Sequence, residues 1–157
     1  MAEAIDPRWI SALLRYFIWS DHMRVHFHQL LAAGKIEPNS AQETESSLYM
    51  AYWYAGLYVV VEGWRQLGLA DPIVDQLLGS KNVALLKWYR RGVFHFQKEH
   101  HQQSFQDLIE QGEKILEWAR ELRNALNRFF QERIQEGNQT THQRAADQDV
   151  SEEVKKT

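Results

Sequence analysis

Two arginines and a histidine interrupt an apolar, aromatic stretch of the sequence that reads LKWYRRGVFHFQ, residues 86–97. Arginine is permanently charged and presents a planar fork of donors that suits phosphate. Histidine titrates near neutral pH and can serve as a general acid or base. An arginine with His95 could therefore support phosphodiester cleavage, with the histidine moving protons and the arginine stabilising charge on phosphorus. The alternative is structural, with Arg90 and Arg91 on a solvated helix edge and His95 half-buried.

Helical spacing distinguishes the two arginines. In an ideal helix Arg91 and His95 are i, i+4 neighbours, about 40° apart around the axis. Arg90 lies one residue further back and is about 140° away from His95. Arg90 could reach the histidine through its long side chain, through a distortion near Gly92, or across a dimer interface. Local geometry alone therefore favours Arg91 as the neighbour of the ring.

Glu62 is a second candidate because it interrupts the most apolar segment of the chain. Buried carboxylates are rare unless they are paired. Glu62 could orient Arg90 or Arg91, or it could simply emerge from the core near Gly63. The sequence gives these two interpretations equal weight.

The first predicted helix carries further polar residues on its apolar stripe, namely Asp21, Arg24 and His28. They could line the same cleft as the arginine–histidine pair, and Asp21 and His28 are our candidates for a supporting role. The alternative is a satisfied polar cluster or a dimer contact. His22 and His26 have the spacing of two metal ligands on one helix, but they are expected to face solvent, so we predict no metal site and no cofactor.

The sequence predicts that long helices position these residues, because the few prolines and glycines fall mostly where helices could begin or end. Asp6-Pro7 predicts the start of a first helix that stops at Gly34. Ser40 and Glu43 have the spacing of a capping box and open a second helix. That helix is apolar on nearly all sides over residues 48–61, which is typical of a central helix in a bundle.

Three more helices complete the predicted fold. A short third helix runs from Asp71-Pro72 to Gly79, and Ser80 caps a fourth that holds the arginines and His95 and ends between residues 97 and 101. A fifth, long helix opens at Ser104 and shows an apolar spacing near 3.5, so it should pack lengthwise on another helix. We therefore predict an all-α bundle of about four to five helices, with long antiparallel helices.

The end of the chain has a different composition. Residues 137–157 include two valines and no other large apolar residue. Such a segment cannot bury enough surface to offset the entropy lost on ordering. We therefore predict a single helical-bundle domain over residues 1–136 and a disordered polar C-terminal tail over residues 137–157.

Composition narrows the classes of function. The chain has 157 residues, 44% of them hydrophobic, and no cysteine, which excludes thiol catalysis and a disulfide framework. The N-terminus lacks a secretory signal, and no apolar run is long enough to span a membrane, so we expect a cytoplasmic protein without a membrane partner. The formal net charge of −3 argues against a DNA-coating protein, but it leaves room for a small basic site.

The motif and its context carry a resemblance. Arg90-x4-His95 on a late helix, after an aromatic helix ending in VVVEGW and before a long final helix, resembles the R-x4-6-H signature of the HEPN superfamily. The likeness covers roughly residues 5–135. It implies a HEPN-like fold in which Arg90 and His95 form the catalytic pair. Where the family often has a small polar residue after the arginine, this chain has Arg91, which either adds phosphate affinity or marks a diverged member.

The resemblance also implies a function. Members of the family are commonly metal-independent endoribonucleases of toxin–antitoxin, abortive-infection and CRISPR-linked systems, and they dimerise so that two motifs form one cleft. By this resemblance the chain would cleave RNA by 2′-OH attack as a homodimer, with an antitoxin or a nucleotidyltransferase as a further partner. Other members only bind nucleotides or proteins, so a non-catalytic helical module that binds a nucleotide, RNA or a partner protein is the alternative.

Overall fold

The computed structural model describes residues 5–96, 98, 110–112 and 114–154. Every regular element in those ranges is a helix, which confirms the all-α prediction. The helices are α1 (Pro7–Ala32), α2 (Ala41–Gln66), α3 (Pro72–Leu78), α4 (Asn82–Phe94) and α5 (Ile115–Val154). None of these helices has a stretch long and apolar enough to cross a membrane. The chain divides into two compact units, Met1–Arg123 and Asn124–Thr157.

The predicted starts of the first three helices are confirmed by their capping hydrogen bonds, whereas the N-cap of the fourth is Lys81 and not Ser80. The Asp6 carboxylate accepts from the backbone N–H of Arg8 at 2.8 Å, and proline follows at the first helical position of α1. Ser40 Oγ accepts from the backbone N–H of Glu43 at 3.1 Å at the start of α2. Asp71 accepts from two backbone N–H groups at the start of α3. Each cap satisfies donors that the first turn of a helix leaves without an intrahelical partner.

Helix α2 is the centre of the first unit, as its sequence predicted. It packs against α1 and against α4. Because its side chains are apolar on nearly all sides, each face has to be covered by another element. Its buried large residues are Met50, Trp53, Tyr54, Leu57, Tyr58, Val60, Val61 and Trp64.

Two buried indoles hold the short helix α3 in place. The Trp64 Nε1–H of α2 donates to Asp75 Oδ1 at 3.0 Å. The Trp118 Nε1–H of α5 donates to the carbonyl oxygen of Leu77 at 2.9 Å. Both tryptophans thus bury a large apolar surface while their only polar atom stays satisfied. This arrangement fixes the connection between α2 and α4, and with it the approach of α4 to α2.

Gly63 allows α1 and α2 to approach closely. A Cβ atom at this position would lie 2.4 Å from Cδ1 of the buried Leu13. We expect Gly63→Ala to lower the free energy of unfolding by about 1–3 kcal/mol, because Leu13 would have to move within a packed interface. Gly137→Ala is the matched control, since Gly137 is also helical but has nothing within 4 Å. The control should be stabilising by about 0.5–1 kcal/mol. Urea unfolding measures both, and equal effects would contradict this packing.

One predicted helix end differs from the structure. The fourth helix ends at Phe94 instead of between residues 97 and 101. The predicted start of the fifth helix at Ser104 lies outside the described residues, and the described helix α5 begins at Ile115. Because α4 ends at Phe94, the next residue, His95, leaves the helical path.

The C-terminal segment continues helix α5, where the sequence predicted a disordered tail. The helix extends to Val154, and the second compact unit, Asn124–Thr157, includes this segment. Glutamate, glutamine, arginine and alanine are good helix formers, and no proline interrupts this stretch. The side chains of residues 131–141 are exposed. The scarcity of large apolar residues therefore leaves this part of the helix unburied but does not prevent the helix from forming.

Candidate functional site

Arg90 and His95 are in direct contact. Arg90 Nη1 lies 3.3 Å from His95 Nε2. A guanidinium group has only donors, so Arg90 donates and the ring nitrogen accepts. This hydrogen bond requires the tautomer that has its proton on Nδ1 and its lone pair on Nε2.

The end of α4 brings these two residues together. His95 has extended backbone angles, φ −133° and ψ 128°, so its ring leaves the helical path. Its backbone N–H donates to the carbonyl oxygen of Arg91 at 3.1 Å and closes the last turn. The expected separation of about 140° between Arg90 and His95 assumed a helix that continues through residue 95. The preference for Arg91 is thereby corrected, since the guanidinium of Arg90 contacts the ring.

Glu62 extends the pair into a row of three side chains across the α2–α4 contact. Arg90 Nε lies 3.5 Å from Glu62 Oε2. The two side chains are 36% and 40% exposed, so the ion pair adds little to stability. Its effect is on orientation, because a carboxylate behind Nε leaves Nη1 directed at His95. The structure contains the contact with Arg90 that is required if Glu62 orients this arginine.

Arg91 follows Arg90 in the last turn of α4 and is exposed. Cations near a helix C-terminus interact favourably with the helix dipole. The two adjacent arginines are therefore cations near the end of one helix, and the first of them contacts His95. Guanidinium groups can bind an anion with several oxygen atoms, such as a phosphodiester.

Asp21 belongs to a separate cluster. Its carboxylate accepts from Arg24 Nε at 2.6 Å and from Arg123 Nε and Nη2 at 2.9 and 3.1 Å. Burial alone would raise the pKa of Asp21, but the hydrogen bonds and charges of the two arginines outweigh it and lower that pKa. Asp21 therefore pairs with Arg24 and Arg123, whereas Arg90 pairs with Glu62 and contacts His95.

His28 lies seven residues after Asp21 on α1 and packs beside two aromatic rings. Its ring centroid is 5.6 Å from that of Phe27 and 5.7 Å from that of Trp53. Although the residue is exposed overall, partial burial of the ring lowers the pKa of His28, and the charge of Arg24 lowers it further. His28 is therefore an aromatic-like packing residue, and Glu62 is the supporting candidate that contacts the pair.

The histidine pair considered as a metal site has a different neighbourhood. His26 stacks on Tyr49 with centroids 5.2 Å apart and an interplanar angle of 24°. Among the described residues, no group of three histidine, cysteine, aspartate or glutamate side chains is arranged to hold a metal ion. His22 is exposed, as expected from the helical spacing.

A groove of about 550 Å³ between α1 and α2 adjoins the row of polar residues at Glu62. Its two aromatic residues, Trp9 and Tyr16, were not predicted from the sequence to be functional. The available signal was their spacing of seven residues, which places both on one face of α1 away from the apolar stripe. The residues lining the groove are Trp9, Ala12, Leu13, Tyr16, Val59, Glu62, Gly63, Gln66 and Leu67.

Comparison of the chain with protein-family models, with curated proteins and with solved structures gives no match.

Proposed function

We propose that this chain is a metal-independent endoribonuclease of the HEPN-like type, with Arg90 and His95 as its catalytic pair. The observation that carries the proposal is the contact of 3.3 Å between Arg90 Nη1 and His95 Nε2. It supports the pairing that the resemblance implies, even though an ideal helix would separate the two residues. Glu62 supports it further, because it contacts the same guanidinium from α2.

The proposed reaction is an intramolecular transesterification of RNA. The 2′-oxygen attacks the adjacent phosphorus, the bond from phosphorus to the 5′-oxygen breaks, and the products are a 2′,3′-cyclic phosphate and a 5′-hydroxyl. His95 performs one of the two proton transfers, either from the 2′-OH or to the leaving 5′-oxygen. Arg90 holds the phosphate and stabilises the charge that builds on its oxygens, and Arg91 adds affinity. DNA lacks the 2′-OH and is not a substrate.

The biological setting follows from the resemblance in the same way. We place the enzyme in a toxin–antitoxin or phage-defence system, acting in the cytoplasm as a homodimer whose two motifs share one cleft. An antitoxin or a nucleotidyltransferase would be its regulating partner. The second candidate function, a non-catalytic module that binds a nucleotide, RNA or protein, is favoured by one observation: an exposed Arg91 follows Arg90 where the family often has a small residue.

One assay separates the two functions. The purified full chain is incubated with a random-sequence pool of short single-stranded RNAs, and in parallel with DNA of the same design, each with and without excess EDTA. We expect cleavage of the RNA to products that end in a 2′,3′-cyclic phosphate, and intact DNA. RNA that binds but stays intact would favour the non-catalytic module. Cleavage that disappears with EDTA would contradict the metal-independent mechanism.

A further inference from the structure

The groove between α1 and α2 has aromatic walls that are unusually open to solvent. Trp9 is 57% exposed and Tyr16 is 45% exposed, and both line the same concavity. Large aromatic side chains at a concave surface mark a binding site more often than scattered exposed residues do. The volume of about 550 Å³ lies within the range of sites for small ligands.

The same groove has a polar edge. Glu62 and Gln66 lie one turn apart on α2, and both line the groove opposite the residues of α1. Glu62 also contacts Arg90 at 3.5 Å through Oε2. One carboxylate therefore stands at the border between an aromatic groove and the guanidinium that we assign to phosphate. A ligand that spans both must combine a flat apolar part, hydrogen-bond donors at its edge, and an anionic group.

We propose that this groove seats one unpaired base of single-stranded RNA, next to the phosphate that Arg90 holds. The proposal rests on the proposed function, because it assumes RNA as the ligand. A base stacks on an aromatic side chain whatever its identity, whereas its edge can be read by carboxylate and amide groups. Trp9 and Tyr16 supply the stacking surface, and Glu62 accepts hydrogen bonds from the edge of the base.

The carboxylate implies a preference among bases. Glutamate accepts from the exocyclic amino group of cytosine, whereas uracil presents a carbonyl oxygen at the same position. Cytosine and uracil are pyrimidines of the same size that differ at position 4 and at N3, so a comparison between them tests recognition of this edge. We expect RNA with cytosine to bind more tightly than RNA with uracil, and we expect Glu62→Gln to reduce this difference because an amide can donate as well as accept.

The test is a binding measurement that does not depend on cleavage. Fluorescence anisotropy gives the affinity of the full chain for short, 2′-O-methylated, non-cleavable oligocytidine and oligouridine. Trp9→Ala should weaken both by roughly tenfold, the loss expected for one stacked base. Leu31→Ala is the control: Leu31 is a large apolar residue, 43% exposed on the same helix, that does not line the groove. It should change the affinity by less than about twofold, and circular dichroism verifies the fold of each variant.

Several results would overturn the base site. Equal effects of Trp9→Ala and Leu31→Ala would contradict the stacking surface, and equal affinity for the two oligonucleotides would contradict the role of Glu62. A dimer that dissociates on Trp9→Ala, seen by light scattering, would show that a second copy covers the groove. The two proposals fail separately. Binding as expected without any cleavage refutes only the ribonuclease, whereas cleavage that Trp9→Ala leaves unchanged, together with unchanged binding, refutes only the base site.

Discussion

His95→Ala is expected to lower the rate of RNA cleavage by about 10²- to 10⁴-fold, the range in which a positioned general acid or base contributes. Arg90→Ala should cause a loss of about 10²- to 10³-fold, because a cation aimed at the phosphate stabilises charge that develops in the transition state. Both side chains are partly or fully exposed, so neither substitution creates a cavity. The measurement is single-turnover cleavage of one RNA, with unfolding monitored in parallel.

Arg91→Ala is the control for this pair. It removes the same charge from the adjacent residue, but the contact to His95 Nε2 belongs to Arg90. We expect an effect of no more than about tenfold, seen mainly as weaker RNA binding. Arg90→Lys keeps the charge but loses the planar fork, and it should remain well below the wild-type rate. If Arg91→Ala costs as much as Arg90→Ala, the assignment of Arg90 is wrong.

Asp21→Ala is expected to lower the free energy of unfolding by about 2 kcal/mol. The substitution leaves Arg24 and Arg123 without their shared carboxylate in a partly buried position. Glu132→Ala is the matched control, because Glu132 pairs with Arg128 at 3.0 Å but its side chain is 53% exposed. The control should cost about 0.5 kcal/mol or less. Chemical denaturation measures both, and an equally small effect of Asp21→Ala would contradict the structural role of this cluster.

The pH dependence of the Asp21 variant follows from the lowered pKa of the carboxylate. The unfolded chain has an aspartate pKa of about 3.9, so the stabilising contribution is complete above that pH. It is lost as the pH falls through the lower pKa of the folded state, since the unfolded chain takes up the proton first. Asp21→Asn should therefore lower stability at neutral pH and flatten the decline below about pH 4. If Asp21→Asn leaves the decline in stability at low pH unchanged, Asp21 is not the titrating group.

The fold was predictable where local chemistry dictates it. Asp6, Ser40 and Asp71 are caps whose side chains satisfy donors of the first helical turn, and each lies where the sequence placed it. The central position of α2 followed from apolar side chains on all its faces. The helical conformation of the C-terminal segment was not predicted, because composition indicates whether a segment can be buried but does not determine its backbone conformation.

The site was predictable in its residues but not in its geometry. Arg90, His95 and Glu62 stood out because charged or titratable groups interrupt apolar segments. Their contacts depend on α4 ending one residue before His95, and neither a proline nor a glycine marks this end. The arginine partners of Asp21 include Arg123, which is far away in sequence, so only the packing of α1 against the start of α5 reveals the cluster.

The most direct test of the central claim is the removal of one oxygen atom from the substrate. Once a cleavage site has been mapped on an RNA, the same RNA is made with a single 2′-deoxy nucleotide on the 5′ side of that bond. Attack by the 2′-OH predicts that wild-type protein no longer cleaves this bond but still cleaves other sites in the same strand. Cleavage of the deoxy-substituted bond at the original rate would contradict the mechanism and, with it, the assignment of Arg90 and His95.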